Sequence, residues 1–140
     1  CSAVDEQDVA WLGRAGIGVA HCPSAARALG RGSLTPLAQL RAAGAVGSLG
    51  LDNASLHAGV DLFAEAREAA LVAIGQGQHL TADDLIGLLT DESARAIGMG
   101  DRIGSLEVGK RGDLVLLDAS RCMSNTRKPT AGRFSTLARW

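Results

Sequence analysis

Apolar and polar positions fall into blocks along this 140-residue chain, and the period changes from one block to the next. Between Asp5 and Ala15, Val9 and Leu12 point inward among charged neighbours, which predicts a helix. Asp5 stands where an N-cap belongs, Asp8 follows three residues later as in a capping box, and Gly13 and Gly16 stop the helix. Ile17–His21 (IGVAH) is an apolar run of strand length. Cys22–Thr35, punctuated by Pro23, Gly30 and Gly32, reads as a loop. Pro36–Ala43 reads as a short helix with Pro36 at its first position. Ala45–Leu51 is a near-continuous apolar run, the pattern of a strand buried on both faces.

The second half is mainly helical. Phe63, Ala66, Ala70, Leu71 and Ile74 recur every three or four residues, predicting a helix over Val60–Ile74 with that face inward and Asp61, Glu65, Arg67 and Glu68 at polar positions around it. Thr81 with Asp84 starts a helix through Leu89, and Thr90 caps another through Ile97. Gly104–Asp118 holds a tight turn and a strand at Leu114–Leu117. Alternation of strands and helices means βαβ units and a parallel sheet, an α/β fold. Two such strands neither close a barrel nor make a stable open sheet, and a (β/α)₈ barrel takes roughly 250 residues. The chain therefore reads as a piece of something larger, and its start at Cys1 without an initiator methionine fits a processed product or fragment.

Composition narrows the class. Hydrophobic residues make up 46% of the chain, yet no run approaches the ~20 apolar residues of a membrane helix. No signal pattern precedes the charged first helix. A soluble, cytoplasmic protein with no membrane partner is expected. Cys1, Cys22 and Cys122 are odd in number and lack CxxC spacing, so neither a disulfide framework nor a cysteine zinc site is indicated. Cys22, at a strand end, reads as a small buried hydrophobe, with a reactive thiol as the alternative. Net charge is −1, but residues 121–140 carry five Lys/Arg and no acid. That basic tail is expected to be disordered, and nucleic acid is not an expected partner.

The candidate chemistry centres on Gly44–Asn53 (GAVGSLGLDN), where the apolar strand ends in a carboxylate. In parallel α/β folds the C-terminal ends of strands carry the chemistry. Asp52 is either a catalytic carboxylate or, with Asn53, a cap for the next helix. His21, at the end of the other strand, is either a structural histidine or a substrate contact. His57 and His79 read as surface residues.

The order of motifs resembles the metal-dependent amidohydrolase superfamily. It runs through His21-Cys22-Pro23, Leu29-Gly30 with Gly32, Leu49-Gly50-Leu51-Asp52, Leu80–Asp84, Ser93–Gly98 and Ile103–Asp118. The likeness is to the aminohydrolase branch of cytosine, guanine and adenosylhomocysteine deaminases and chlorohydrolases. It covers about residues 1–118. The resemblance implies a C-terminal part of a (β/α)₈ TIM barrel over residues 1–100, with residues 17–21 as strand 7 and 45–51 as strand 8. Residues 101–120 would return the chain to a small β-sandwich, and residues 121–140 match nothing in the family.

The resemblance also implies a site. Asp52 matches the family aspartate that, with three upstream histidines, holds one divalent metal, zinc or iron. A metal so bound lowers the pKa of its water to about 7, and a carboxylate touching metal and water moves the proton to the leaving amine. Asp52 is thus expected to be both metal ligand and catalytic residue, and His21 to line the substrate pocket or hold its loop. The expected function is hydrolysis of a non-peptide carbon–nitrogen bond, deaminating a cyclic amidine or heteroaromatic amine through a metal-bound hydroxide. Chlorohydrolase-type dehalogenation, and a non-catalytic truncated interaction domain, are the alternatives. The partner is a small-molecule substrate, and the full-length enzyme is a candidate homo-oligomer. The chain departs from the family loop His-Cys-Pro-x-Ser-Asn-x-x-Leu-Gly-x-Gly at Ala25 and Ala26, and Leu51 and Asn53 flank Asp52 where Thr and Gly are usual. With one of four metal ligands, the isolated chain is expected to be inactive.

Overall fold

The computed structural model describes residues 1, 3–31, 34–53, 56 and 59–118. The tail at 121–140 and His57 lie outside the described residues. Helix α1 (Glu6–Arg14) begins at Asp5, whose side chain accepts from the Asp8 amide while the Asp8 carboxylate accepts from the Asp5 amide, the full capping box. Strand β1 (Gly18–His21) follows, then α2 (Pro23–Ala28), α3 (Leu37–Ala42) and β2 (Val46–Leu49). The two strands pair in parallel, with Gly18 opposite Val46 and His21 opposite Leu49. Helices α4 (Leu62–Gly75), α5 (Ala82–Leu89) and α6 (Asp91–Ala96) complete the order.

Two apolar clusters hold this arrangement. Leu37, Leu49, Ala66, Ala69, Ala73, Leu80, Leu88 and Leu89 join β2 to α3, α4 and α5. Val19, Leu40 and Ala45 pack with Val9 and Leu12 beneath α1. Burying the apolar face of each element against the sheet supplies the main favourable term. Arg41 on α3 adds a polar strut: its guanidinium donates to both Glu92 oxygens, at 2.6 and 3.0 Å, and to Asp84 at 3.0 Å.

Four expectations change. Cys22–Thr35 is not wholly loop, because Pro23 opens a helix at its first position and Ala25, Ala26 and Ala28 favour propagating it. On α4 the buried residues are Glu65, Ala66, Ala69, Val72 and Ala73, whereas Phe63, Leu71 and Ile74 are exposed; the helix is apolar on more than one side, so spacing alone misplaces its inner face. Thr90 occupies the N-cap position of α6, but its hydroxyl donates back to the Ile86 carbonyl at 2.7 Å and makes no cap. Residues 111–118 form no regular element, and Leu116 is 82% exposed. A β-ladder exists only against a partner backbone, and no strand pairs with Leu114–Leu117 among the described residues.

Candidate functional site

Both strands run in the same direction, so their C-terminal ends, His21 and Leu49, open on the same edge. The chain continues past β2 through Gly50 and Leu51 to Asp52, whose φ of 59° lies in the left-handed region. A non-glycine residue held there is uncommon, although aspartate tolerates the conformation better than most. Asp52 is exposed. It does not cap α4: that role belongs to Asp61, whose carboxylate accepts from the Phe63 amide at 2.9 Å and the Ala64 amide at 3.1 Å.

A cavity of about 180 Å³ lies at this edge, lined by Asp52 together with Cys1, Cys22, Arg31, Thr35 and apolar Ala20, Ala26 and Leu29. Cys22 and Asp52 share this wall, and Gly50, two residues before Asp52, lies against the Cys22 sulfur. Burial pushes the Cys22 thiol above its ordinary pKa, the carboxylates of Asp52 and Glu65 push it further, and the Asp52 N–H offsets part of the rise. The thiol is therefore held neutral at pH 7, which disfavours it as a nucleophile.

His21 is almost wholly buried, at 2% exposure, and is not one of the residues lining the cavity. Burial, aided by the positive N-terminal amine, lowers its pKa to about 4, so the imidazole is neutral at pH 7. His79 is exposed.

Glu65 is the buried group the sequence pattern did not single out. Only 2% exposed, it accepts the Ser24 backbone N–H at 3.0 Å and the Ser24 hydroxyl in a very short hydrogen bond. Its neighbours Ala66, Ala69 and Ala73 are all small and apolar, and a carboxylate within such a face was the available signal. Arg31 and Thr35 lay within the segment read as loop, where no periodicity marks them.

Among the described residues, no group of three or more His, Cys, Asp or Glu side chains is arranged to hold a metal ion. Asp52 alone is one donor of the four a zinc site normally has. The described residues by themselves do not make a metal centre.

The sequence model of the amidohydrolase family matches residues 1–138. The 5-methylthioadenosine/S-adenosylhomocysteine deaminase of Symbiobacterium thermophilum is 41% identical over 86% of this chain and 28% of its own length. The 8-oxoguanine deaminase of Pseudomonas aeruginosa is 38% identical over 79% of this chain and 24% of its own. The crystal structure of an adenosine deaminase from Xanthomonas campestris, with bound zinc, superposes with a TM-score of 0.75 at 32% identity, covering 80% of this chain and 26% of that one. The chain thus spans about a quarter of the length of the relatives it matches.

Proposed function

The chain belongs to the amidohydrolase family, and from that premise we propose that it is the C-terminal part of a hydrolytic deaminase barrel, with Asp52 as its catalytic carboxylate. In this reading β1 and β2 are barrel strands 7 and 8, and residues after Gly100 lead back to a small β-sandwich. The observation that carries it is the position of Asp52. It stands past the C-terminal end of β2, in a left-handed backbone conformation, on the wall of a polar cavity. Active sites of (β/α)₈ barrels are built at that end of the strands.

The relatives' names point to a purine-like heteroaromatic amine as substrate. Asp52 would contribute one carboxylate to a single divalent ion, zinc by the stronger analogy, the other donors coming from outside this chain. Such an ion, when bound, makes water acidic enough to supply hydroxide at neutral pH. Asp52 would take a proton at its carboxylate oxygen and return it to the departing amine. The neighbouring cavity wall, with Arg31, Thr35 and Leu29, would face the substrate, and Ala26 would leave room where the family carries a hydrogen-bonding side chain. A cytoplasmic location agrees with the free thiols of Cys1 and Cys22, and no described helix is long and apolar enough to cross a membrane.

Ammonia release by the full-length protein tests the reading. Adenosine, S-adenosylhomocysteine and 8-oxoguanine are the first panel. At least one is expected to be deaminated, and Asp52→Asn to lower kcat/KM by about 10²–10⁴-fold. Turnover by Asp52→Asn close to wild type would remove Asp52 from the chemistry.

A further inference from the structure

Helix α2 starts badly by its own means. Cys22, at its N-cap, makes no side-chain cap hydrogen bond, and Pro23 has no N–H to offer. The next amide, that of Ser24, is capped from 41 residues away by Glu65 on α4. Both Glu65 oxygens are engaged by Ser24, one by its amide and the other by its hydroxyl. A carboxylate buried to 2% exposure carries a large desolvation cost, which a role in shaping its surroundings would justify.

What this cap holds in place is the turn beside Asp52. Two residues before Ser24, Cys22 lines the same cavity as Asp52. Gly50 lies against the Cys22 sulfur, where an added Cβ would come within 3.2 Å, and its amide donates to the His21 carbonyl at 3.0 Å. The segment that leads into the left-handed Asp52 is thus packed at Gly50 against a turn that is itself tied to α4.

We propose that Glu65 is a positioning residue for Asp52: by capping Ser24 it fixes the Cys22–Ser24 turn, against whose sulfur Gly50 packs, and so sets the Gly50–Asp52 segment that presents the carboxylate. The geometric half of this inference stands on the contacts alone, and the catalytic half rests on the assignment of Asp52 above.

Hydrogen exchange on the full-length protein separates the two halves, because it needs no activity. In Glu65→Ala and in Ser24→Ala, exchange of the segment Gly50–Asn53 is expected to rise about tenfold, the equivalent of one hydrogen bond. Protection of α5 (Ala82–Leu89) is expected to stay unchanged, so the effect is local. Cys22→Ala, which removes the sulfur that Gly50 lies against, should give the same local rise, and Glu65→Gln, which keeps an acceptor for the Ser24 amide, should restore much of the protection. For substrate turnover, Glu65→Ala is expected to lower kcat about tenfold with KM within about twofold, a loss of aim rather than of binding. Unchanged exchange at Gly50–Asn53 in a folded Ser24→Ala protein overturns the proposal, even where Glu65→Ala fails to fold. A local rise in exchange without any change in kcat would keep the clamp but reject its role in aiming Asp52. Wild-type protein without deaminase activity, together with the local rise, would instead count against the function and not against the clamp.

Discussion

The burial of His21 makes a statement about stability as well as about charge. Its folded pKa, lowered to about 4, lies below its ordinary value of 6.5. Between those two values the unfolded chain binds more protons than the folded one, so stability is full above pH 6.5 and is lost as pH falls toward 4, by about 2–3 kcal/mol. Denaturant unfolding at pH 7 and pH 4.5 measures that loss, and His21→Gln should show a clearly smaller difference between the two conditions. An equal loss in both proteins would mean that other groups titrate instead. Individual residues were legible in the sequence where their partners are local: Asp5 with Asp8, and Thr81 with Asp84, lie three positions apart, and both capping boxes form. The Ser24–Glu65 contact spans 41 positions, and no local pattern encodes it.

At the scale of elements, close approach and ionic ties both make predictions. Strand β1 passes so near α6 that a Cβ on Gly18 would come within 2.2 Å of the Ala96 carbonyl oxygen, which is backbone and cannot swing aside. Gly18→Ala is expected to cost about 1–3 kcal/mol or more, as overpacking does, read as a lower denaturant midpoint; a change below about 0.5 kcal/mol would mean the helix shifts freely. Arg41 ties α3 to α5 and α6 through Glu92 and Asp84, with its side chain 20% exposed and that of Glu92 15% exposed. A forked guanidinium matches a carboxylate in a way an ammonium does not. Arg41→Lys is therefore expected to lose about 1 kcal/mol, and a double-mutant cycle with Glu92→Gln should show coupling of about 1–2 kcal/mol; additive effects would show that the ion pair contributes nothing. The strands β1 and β2 were readable because an unbroken apolar run of strand length has few alternatives. The inner face of α4 was not, since Ala66, Ala69 and Ala73 compete with Phe63, Leu71 and Ile74 for the core. The buried face also carries Val72 and Glu65, so side-chain size alone does not decide which face turns inward.

At the scale of the whole molecule, a two-stranded parallel sheet leaves each strand with one unpaired edge among the described residues. Trp11, Val60, Ile97 and Leu116 are each at least 60% exposed, as expected where further elements would cover them. Asp52 faces a comparable shortage: among the described residues too few metal donors surround it. On the proposed reading, metal affinity should therefore belong to the full-length protein and not to this chain alone. Equilibrium dialysis against zinc at pH 7 is expected to give about one tightly held ion per full-length protein, and Asp52→Ala should weaken its retention by about 10–100-fold. Residues 1–140 on their own are expected to hold no stoichiometric zinc, because a single carboxylate competes poorly with water for the ion. Tight binding of one zinc ion by residues 1–140 would show that the chain assembles a donor set of its own, and the function would then have to be sought within it.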